Sequence, residues 1–141
     1  MVVLDTDHVS VLEWASSPEA LTLRSRLEQL PDEEIATTII SFEEQTRGWL
    51  AVLAKARALS RQVEAYRRLR RQLDNYCGMA VLDFDERAAT EYQQLRHAHL
   101  RIGTMDLKIA AIVLAHQAIL LSRNAADFGQ VPGLAVEDWT A

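Results

Sequence analysis

Four acidic residues stand where the 141-residue chain turns from apolar to polar. Asp5 closes the run Val2-Val3-Leu4, Glu44 comes shortly after Ile35-Ala36-Thr37-Thr38-Ile39, Asp106 lies just inside the stretch opened by Thr104, and Asp127 follows Ala118-Ile119-Leu120-Leu121. Carboxylates that share one cleft repel one another and take up protons unless a cation holds them. Hard divalent ions such as Mg2+ accept all-oxygen ligands and retain several waters. Acids that converge in this way therefore carry metal-assisted chemistry. Each also has a purely structural reading as a helix-start residue. Ser41-x-x-Glu44 has the spacing of a capping box, Asp106 suits a helix dipole two residues beyond Thr104, and Asn124-x-x-Asp127 is another cap-like pair.

Convergence depends on the elements that carry the acids. Val2-Val3-Leu4 is an unbroken apolar run, as in a strand buried on both faces of a parallel sheet. Asp7 or Thr6 caps a short helix through Trp14, and Ser17-Pro18-Glu19 opens a second through about Leu30, with Leu21, Leu23, Leu27 and Leu30 as its buried stripe. Pro31-Asp32-Glu33-Glu34 breaks it, Ile35 to Ile39 is a second strand, and Ser41 starts a helix. Trp49, Leu50, Val52 and Leu53 recur at helical spacing, and a further run to about Asn75 has Leu59, Val63, Tyr66, Leu69 and Leu73 as its apolar stripe, with a break near Ala58 to Ser60. Gly78 ends this hairpin and Met79 to Leu82 is a third strand. Asp85 caps a helix to about Leu100, Thr104 opens one to about His116, Ala118 to Leu121 is a fourth strand, and Leu134-Ala135-Val136 is the last. Strands separated by helices predict one α/β domain over 1–141, a parallel sheet with right-handed crossovers and helices on both faces. Each crossover helix then runs antiparallel to the strands, so its amino end lies over the carboxyl edge where ligands bind. That geometry gathers Asp5, Glu44, Asp106 and Asp127.

Charge separates the chain into two parts. The net charge is −5, which excludes a protein that coats nucleic acid through an overall basic surface. Yet Lys55, Arg57, Arg61, Arg67, Arg68, Arg70 and Arg71 are opposed between them only by Glu64, so this stretch is +6 and the remainder −11. The single cysteine, Cys77, forms no internal disulfide and reads as core. There is no apolar run of membrane-spanning length and no basic-then-apolar leader, so a cytoplasmic protein without membrane contact is expected. No phosphate-binding glycine loop and no serine or cysteine nucleophile motif occurs.

Leu4-Asp5-Thr6, Ser41-Phe42-Glu43-Glu44 with Gly48, Gly103-Thr104-Met105-Asp106-Leu107-Lys108-Ile109-Ala110-Ala111 and Ser122-Arg123-Asn124-Ala125-Ala126-Asp127-Phe128 resemble, in order and spacing, the PIN-domain ribonucleases of the VapC toxin type. The resemblance covers the whole chain. It implies a three-layer fold on a five-stranded parallel sheet, and a Mg2+- or Mn2+-dependent endoribonuclease that is homodimeric and silenced by a cognate antitoxin. It makes Asp5, Glu44, Asp106 and Asp127 the catalytic and metal-holding acids, Glu44 being preferred to Glu43 by its spacing to Gly48. It makes Ser122, Asn124 and Thr6 the polar groups that orient them. Asp7 stays outside the quartet as a helix cap, His8 reads as a solvated side chain, and Arg123 stands where it would touch RNA.

Two other readings remain open from the residues. Asp5-Thr6-Asp7-His8-Val9 fits the D-x-D-x-T/V opening of haloacid-dehalogenase phosphatases, although the chain lacks that family's late pair of close acids. A non-catalytic scaffold, with its acids as caps and its apolar helices binding a partner, needs no metal. Trp14, Trp49, Leu50 and Leu53 supply more apolar surface than one small sheet covers, which marks an interface. Arg67, Arg68 and Arg71 are the candidates for holding RNA phosphates beside an acidic cleft, with an acidic antitoxin surface as the competing partner.

Overall fold

The computed structural model describes residues 1–13 and 16–141. Along the chain run β1 (Val2–Leu4), α1 (Thr6–Glu13), α2 (Pro18–Leu27), a 3-10 turn (Asp32–Glu34), β2 (Ile35–Thr38), α3 (Ile39–Lys55), α4 (Leu59–Cys77), β3 (Ala80–Leu82), α5 (Glu86–His97), α6 (Thr104–Ala115), β4 (Ile119–Leu121), α7 (Ala125–Phe128) and β5 (Ala135–Glu137). The five strands form one parallel sheet in the order β3-β2-β1-β4-β5. Strand order reverses at β1, and a crevice opens at that point beyond the carboxyl ends of β1 and β4. The ladder reaches this edge, since the Asp5 N–H donates to the Leu121 carbonyl at 2.9 Å and the Ser122 N–H to that of Glu137 at 2.9 Å.

Alternation along the central strands feeds two cores. Val3 and Leu120 face α5 and α6, where α6 buries Ile109 through Val113 without a break. Val2, Leu4 and Leu121 face Val9 and Val11 of α1, Ala20, Leu23 and Leu27 of α2, and Tyr76 of α4. Both faces of β1 are thus covered, which explains its continuous apolar composition, and each fully buried Val or Leu contributes roughly 1.5–3 kcal/mol.

Several boundaries differ from expectation for identifiable reasons. α3 begins at Ile39, not Ser41, because the Thr38 hydroxyl accepts the Ser41 N–H at 3.1 Å and β2 passes directly into the helix. α2 ends at Leu27 and presents Leu21 to solvent, its buried stripe being Ala20, Leu23 and Leu27. The expected end of α1 at Trp14 lies outside the described residues. Cys77, expected in the core, is exposed in the last turn of α4. The stripe expected to bury α4 also faces out: Leu59, Val63, Tyr66 and Leu73 are exposed, and α4 instead packs through Ala65, Gln72 and Tyr76. Gln72 fixes that orientation by donating to the Thr46 hydroxyl at 2.6 Å, and Phe42 meets Tyr76 edge to face at 5.2 Å.

Candidate metal centre

Asp5 ends β1 at the switch point with only 5% of its surface exposed. Three neighbours hold it there. The Thr6 N–H donates to Oδ1 at 2.8 Å, the Ser122 hydroxyl to Oδ2 at 2.7 Å, and the Asp5 carbonyl accepts the Val9 N–H at 3.0 Å to start α1. Glu44 reaches the same place from the second turn of α3, not the first, because the helix starts early. Its Oε1 accepts the Thr6 hydroxyl at 3.2 Å. Asp106 comes from the first turn of α6, whose N-cap Gly103 offers no side chain. One carboxylate oxygen from each of Asp5, Glu44 and Asp106 falls within 4.8 Å of the others.

The fourth acid stands beside this trio, not in it. Asp127, in α7, takes a hydrogen bond from Asn124 Nδ2 at 3.0 Å, and its N–H donates back to Asn124 Oδ1 at 3.4 Å. It is close enough to Asp106 for its charge to matter there. The cap reading therefore holds for Asn124 but not for Glu44, since Thr38 caps α3 and Ser41 lies within the first turn. Glu43 turns away and pairs with Arg47 at 2.6 Å.

Electrostatics mark the trio as strained when all three are charged. Burial pushes the Asp5 carboxyl up to about 7, with help from Asp7 and Asp106 and against the Ser122 and Thr6 hydrogen bonds. Burial also raises Glu44, followed by the charge of Asp106, and raises Asp106, followed by the charges of Asp127 and Asp7. A cation held by these oxygens would offset that cost. The donor set is all oxygen and hard, and so fits Mg2+ or Mn2+ and disfavours softer ions.

Two residues beside the acids behave otherwise than expected. Asp7 is not a cap. Its Oδ2 accepts the Arg123 N–H at 2.9 Å and lies 3.3 Å from the Ser122 hydroxyl, while Oδ1 takes His8 Nδ1 at 2.7 Å. His8 is fully buried, not solvated, and its Nε2 accepts the Trp139 N–H at 3.2 Å. Spacing gave a signal for Asp7, which lies two residues past Asp5 on the same edge, but none for the carboxyl-terminal segment that closes over His8. Arg123 is exposed and its Nε donates to the Thr140 hydroxyl at 3.2 Å. Arg68 pairs with Glu64 at 3.0 Å, Arg67 is exposed, and Arg71 lines a cavity of about 530 Å3 with Val9, Leu12, Glu13, Arg24, Asn75 and Met79. Burial raises Glu13 there, and the charges of Arg68 and Arg71 draw it back.

Residues 2–134 match the family model described as the PIN domain. The chain belongs to that family. As a PIN domain it resembles Ribonuclease VapC2 of Rickettsia felis (strain ATCC VR-1525 / URRWXCal2), at 32% identity over 65 residues covering 43% of this chain and 48% of that protein. It also resembles the tRNA(fMet)-specific endonuclease VapC of Shigella flexneri, at 36% identity over 64 residues and the same two coverages. The matched segment spans about half the length of each of these curated relatives. Among solved structures, VapBC2 from Rickettsia felis bound to a DNA fragment from its promoter superposes with a TM-score of 0.70 at 23% identity, covering 99% of both chains. VapBC-1 from nontypeable Haemophilus influenzae gives 0.69 at 22% identity and covers 100% of both. These likenesses establish the three-layer PIN fold around the five-stranded parallel sheet.

Proposed function

We propose that this single-domain chain is a Mg2+- or Mn2+-dependent endoribonuclease and the toxin of a toxin-antitoxin pair. The observation that carries the reading is the trio of buried Asp5 with half-buried Glu44 and Asp106, three carboxylates within 4.8 Å whose ionised forms disfavour one another. In this reading the trio holds the cation, Ser122 and Thr6 fix its rotamers, and Asn124 keeps Asp127 alongside. When bound, the cation supplies Lewis-acid polarisation of the phosphodiester and offsets charge in the transition state. The bond from a water oxygen to phosphorus forms as that to one bridging oxygen breaks. Asp127 Oδ1, which no described residue engages, takes the proton from the attacking water, and solvent supplies one to the leaving oxygen.

The toxin assignment rests on the fold shared with VapBC structures and on the ribonuclease and endonuclease names of the two relatives. A homodimer and an antitoxin are the partners it assigns, and the exposed apolar side chains of α3 and α4 are the surface offered to them. No described helix is long and apolar enough to cross a membrane. The haloacid-dehalogenase alternative finds no support, because both Asp7 oxygens are engaged by His8, Arg123 and Ser122 and so are not poised as an acid-base pair with Asp5. A non-catalytic scaffold gives no reason to bring three acids together.

Calorimetry with Mn2+ and cleavage of RNA, on wild type and on Asp5→Asn, Glu44→Gln and Asp106→Asn, tests the reading. Wild type should bind Mn2+ and cleave only with a divalent ion, and each folded variant should lose on the order of 10^2-fold or more in rate. Near-wild-type cleavage by the folded variants would show that the active site lies elsewhere.

A further inference from the structure

The acid cluster leaves one nearby group unexplained: His8 has no exposed surface although it sits in the first turn of α1. A backbone N–H can only donate, so the Trp139 N–H requires a bare lone pair on Nε2, and the single proton of the neutral ring is on Nδ1. Asp138 does not compete for Nε2, since its Oδ1 lies 3.7 Å away and already accepts from the Thr140 N–H at 2.8 Å and hydroxyl at 2.6 Å. Nδ1 therefore donates to Asp7 Oδ1 at 2.7 Å. On its other side Asp7 Oδ2 lies 3.3 Å from a Ser122 hydroxyl that has only one hydrogen, and Asp5 Oδ2 claims that hydrogen at 2.7 Å. The Asn124 N–H fills an acceptor site of the same hydroxyl at 3.0 Å. Two carboxylates thus face one hydrogen, and the arrangement stays in favour of Asp5 only while Asp7 is held by other donors.

We propose that His8 is a positioning residue: by donating from Nδ1 to Asp7 it keeps Asp7 from drawing off the Ser122 hydrogen that orients Asp5, and so sets the cluster's affinity for a divalent cation. The inference rests on the reading of the trio as a cation site. It also gives the carboxyl-terminal segment a part in the site, because the Trp139 N–H selects the tautomer that makes the donation possible. Trp139 is itself held, with the Arg26 guanidinium 4.4 Å from its ring centroid.

Two substitutions divide the two nitrogens. In His8→Asn the amide reaches the place of Nδ1 and can still donate to Asp7, whereas in His8→Gln it reaches that of Nε2 and can only serve Trp139. Mn2+ titration of the full chain should show His8→Gln weakened by roughly ten-fold, the loss usual when a group supporting a ligand is removed, and His8→Asn near wild type. In an Asp7→Asn background His8→Gln should have no further effect, since the competitor is gone. Nitrogen-15 spectra of the imidazole should place the proton on Nδ1 with or without Mn2+, a readout that needs no variant to fold. An Nε2–H tautomer, wild-type affinity in His8→Gln, or equal and additive losses in both variants would reduce His8 to an anchor for the tail. A wild-type chain that binds no Mn2+ would overturn the cation site as well, whereas normal wild-type binding with an indifferent His8→Gln overturns this inference alone.

Discussion

The carboxyl edge of the sheet and the α3–α4 hairpin break the usual partition of residues in opposite senses. At the edge, acids are withdrawn from solvent: Asp5 keeps 5% of its surface, Glu44 and Asp106 are half-buried, and the neighbours of Asp5 are hydroxyls, N–H groups and further acids. On the hairpin, apolar side chains are exposed: Leu59 keeps 75% of its surface, with Leu50, Val63, Tyr66 and Leu73 also turned outward. At the edge nearly every polar group is tied to a different element, α1 to β4 through Asp7 and Ser122, α1 to α3 through Thr6 and Glu44. In the hairpin Gln72 and Thr46 tie α4 to α3, Gln45 and Ser10 tie α3 to α1, and Arg68 and Arg70 pair with Glu64 and Asp74 of their own helix. A group of buried and half-buried acids suits a small hard cation. A loosely committed apolar face suits a protein surface.

The largest expected effect separates the two regions by pH. The folded Asp5 carboxyl titrates at about 7 against 3.8 for an ordinary aspartate, so the folded state holds that proton more tightly than the unfolded one. Its contribution to stability is fully present below about pH 4 and is lost as pH rises through about 7. Urea denaturation of the cation-free chain should therefore lose on the order of 2–4 kcal/mol between these limits relative to Asp5→Asn, which removes the titration. Saturating Mg2+ should restore the loss at neutral pH, because an ion bound only by the folded state stabilises it. A hairpin substitution such as Leu59→Ser should leave the slope as it is. Parallel pH profiles for wild type and Asp5→Asn would mean that burying this acid costs nothing.

The same contrast governs what was legible in the sequence. Asp5, Glu44 and Asp106 could be placed because strand ends and helix starts are fixed by punctuation, and parallel topology brings those points to one edge. Strand number and order of elements followed from the alternation of apolar runs and helical periods. For α4 the period was right but the direction was not. Leu59, Val63 and Tyr66 recur as a buried stripe would, yet Ala65, Gln72 and Tyr76 face inward, since periodicity does not say whether an apolar face meets its own core or another molecule. The burial of His8 was illegible for another reason: Trp139, whose N–H it accepts, comes from the far end of the chain, and nothing local announces it.

Next in size is the hairpin's own test. If α3 and α4 present an interface, sedimentation of wild type should show a concentration-dependent dimer. Leu59→Glu with Val63→Glu should weaken it by about 10-fold or more, the effect of removing one buried anchor. Both side chains are already exposed, so folding and Mn2+ binding should be unaffected, and this separates association from the acid cluster. A wild-type chain that stays monomeric at every concentration would remove the homodimer, leaving an antitoxin as the partner that covers this face.

The smallest expected effect concerns the arginines of α4, where the two regions would have to cooperate. An acidic cleft repels RNA, so phosphates must be held by positive groups elsewhere on the surface. Arg67 and Arg71 are exposed, while Arg68 also pairs with Glu64 within the helix, an exposed contact that contributes little to stability. Arg67 therefore remains available to phosphate at small cost, whereas Arg68 and Arg71 also face the Glu13 carboxylate. Arg68 and Arg71 also offset charge on Glu13 at the far end of α1, so the basic surface adjoins the helix that follows Asp5. Each contact to single-stranded RNA contributes roughly 0.7 to the slope of log affinity against log salt, and replacing Arg67, Arg68 and Arg71 with Gln should flatten that slope by about 1–2 units. Binding is best measured with Asp5→Asn, which should not cleave the RNA during the titration. Arg123 offers a control near the acids: its guanidinium is tied to Thr140, so Arg123→Gln should change the slope by no more than about 0.7. An unchanged slope in the triple variant would show that these arginines only keep α4 solvated, and the positive surface that holds RNA would have to lie closer to the metal edge.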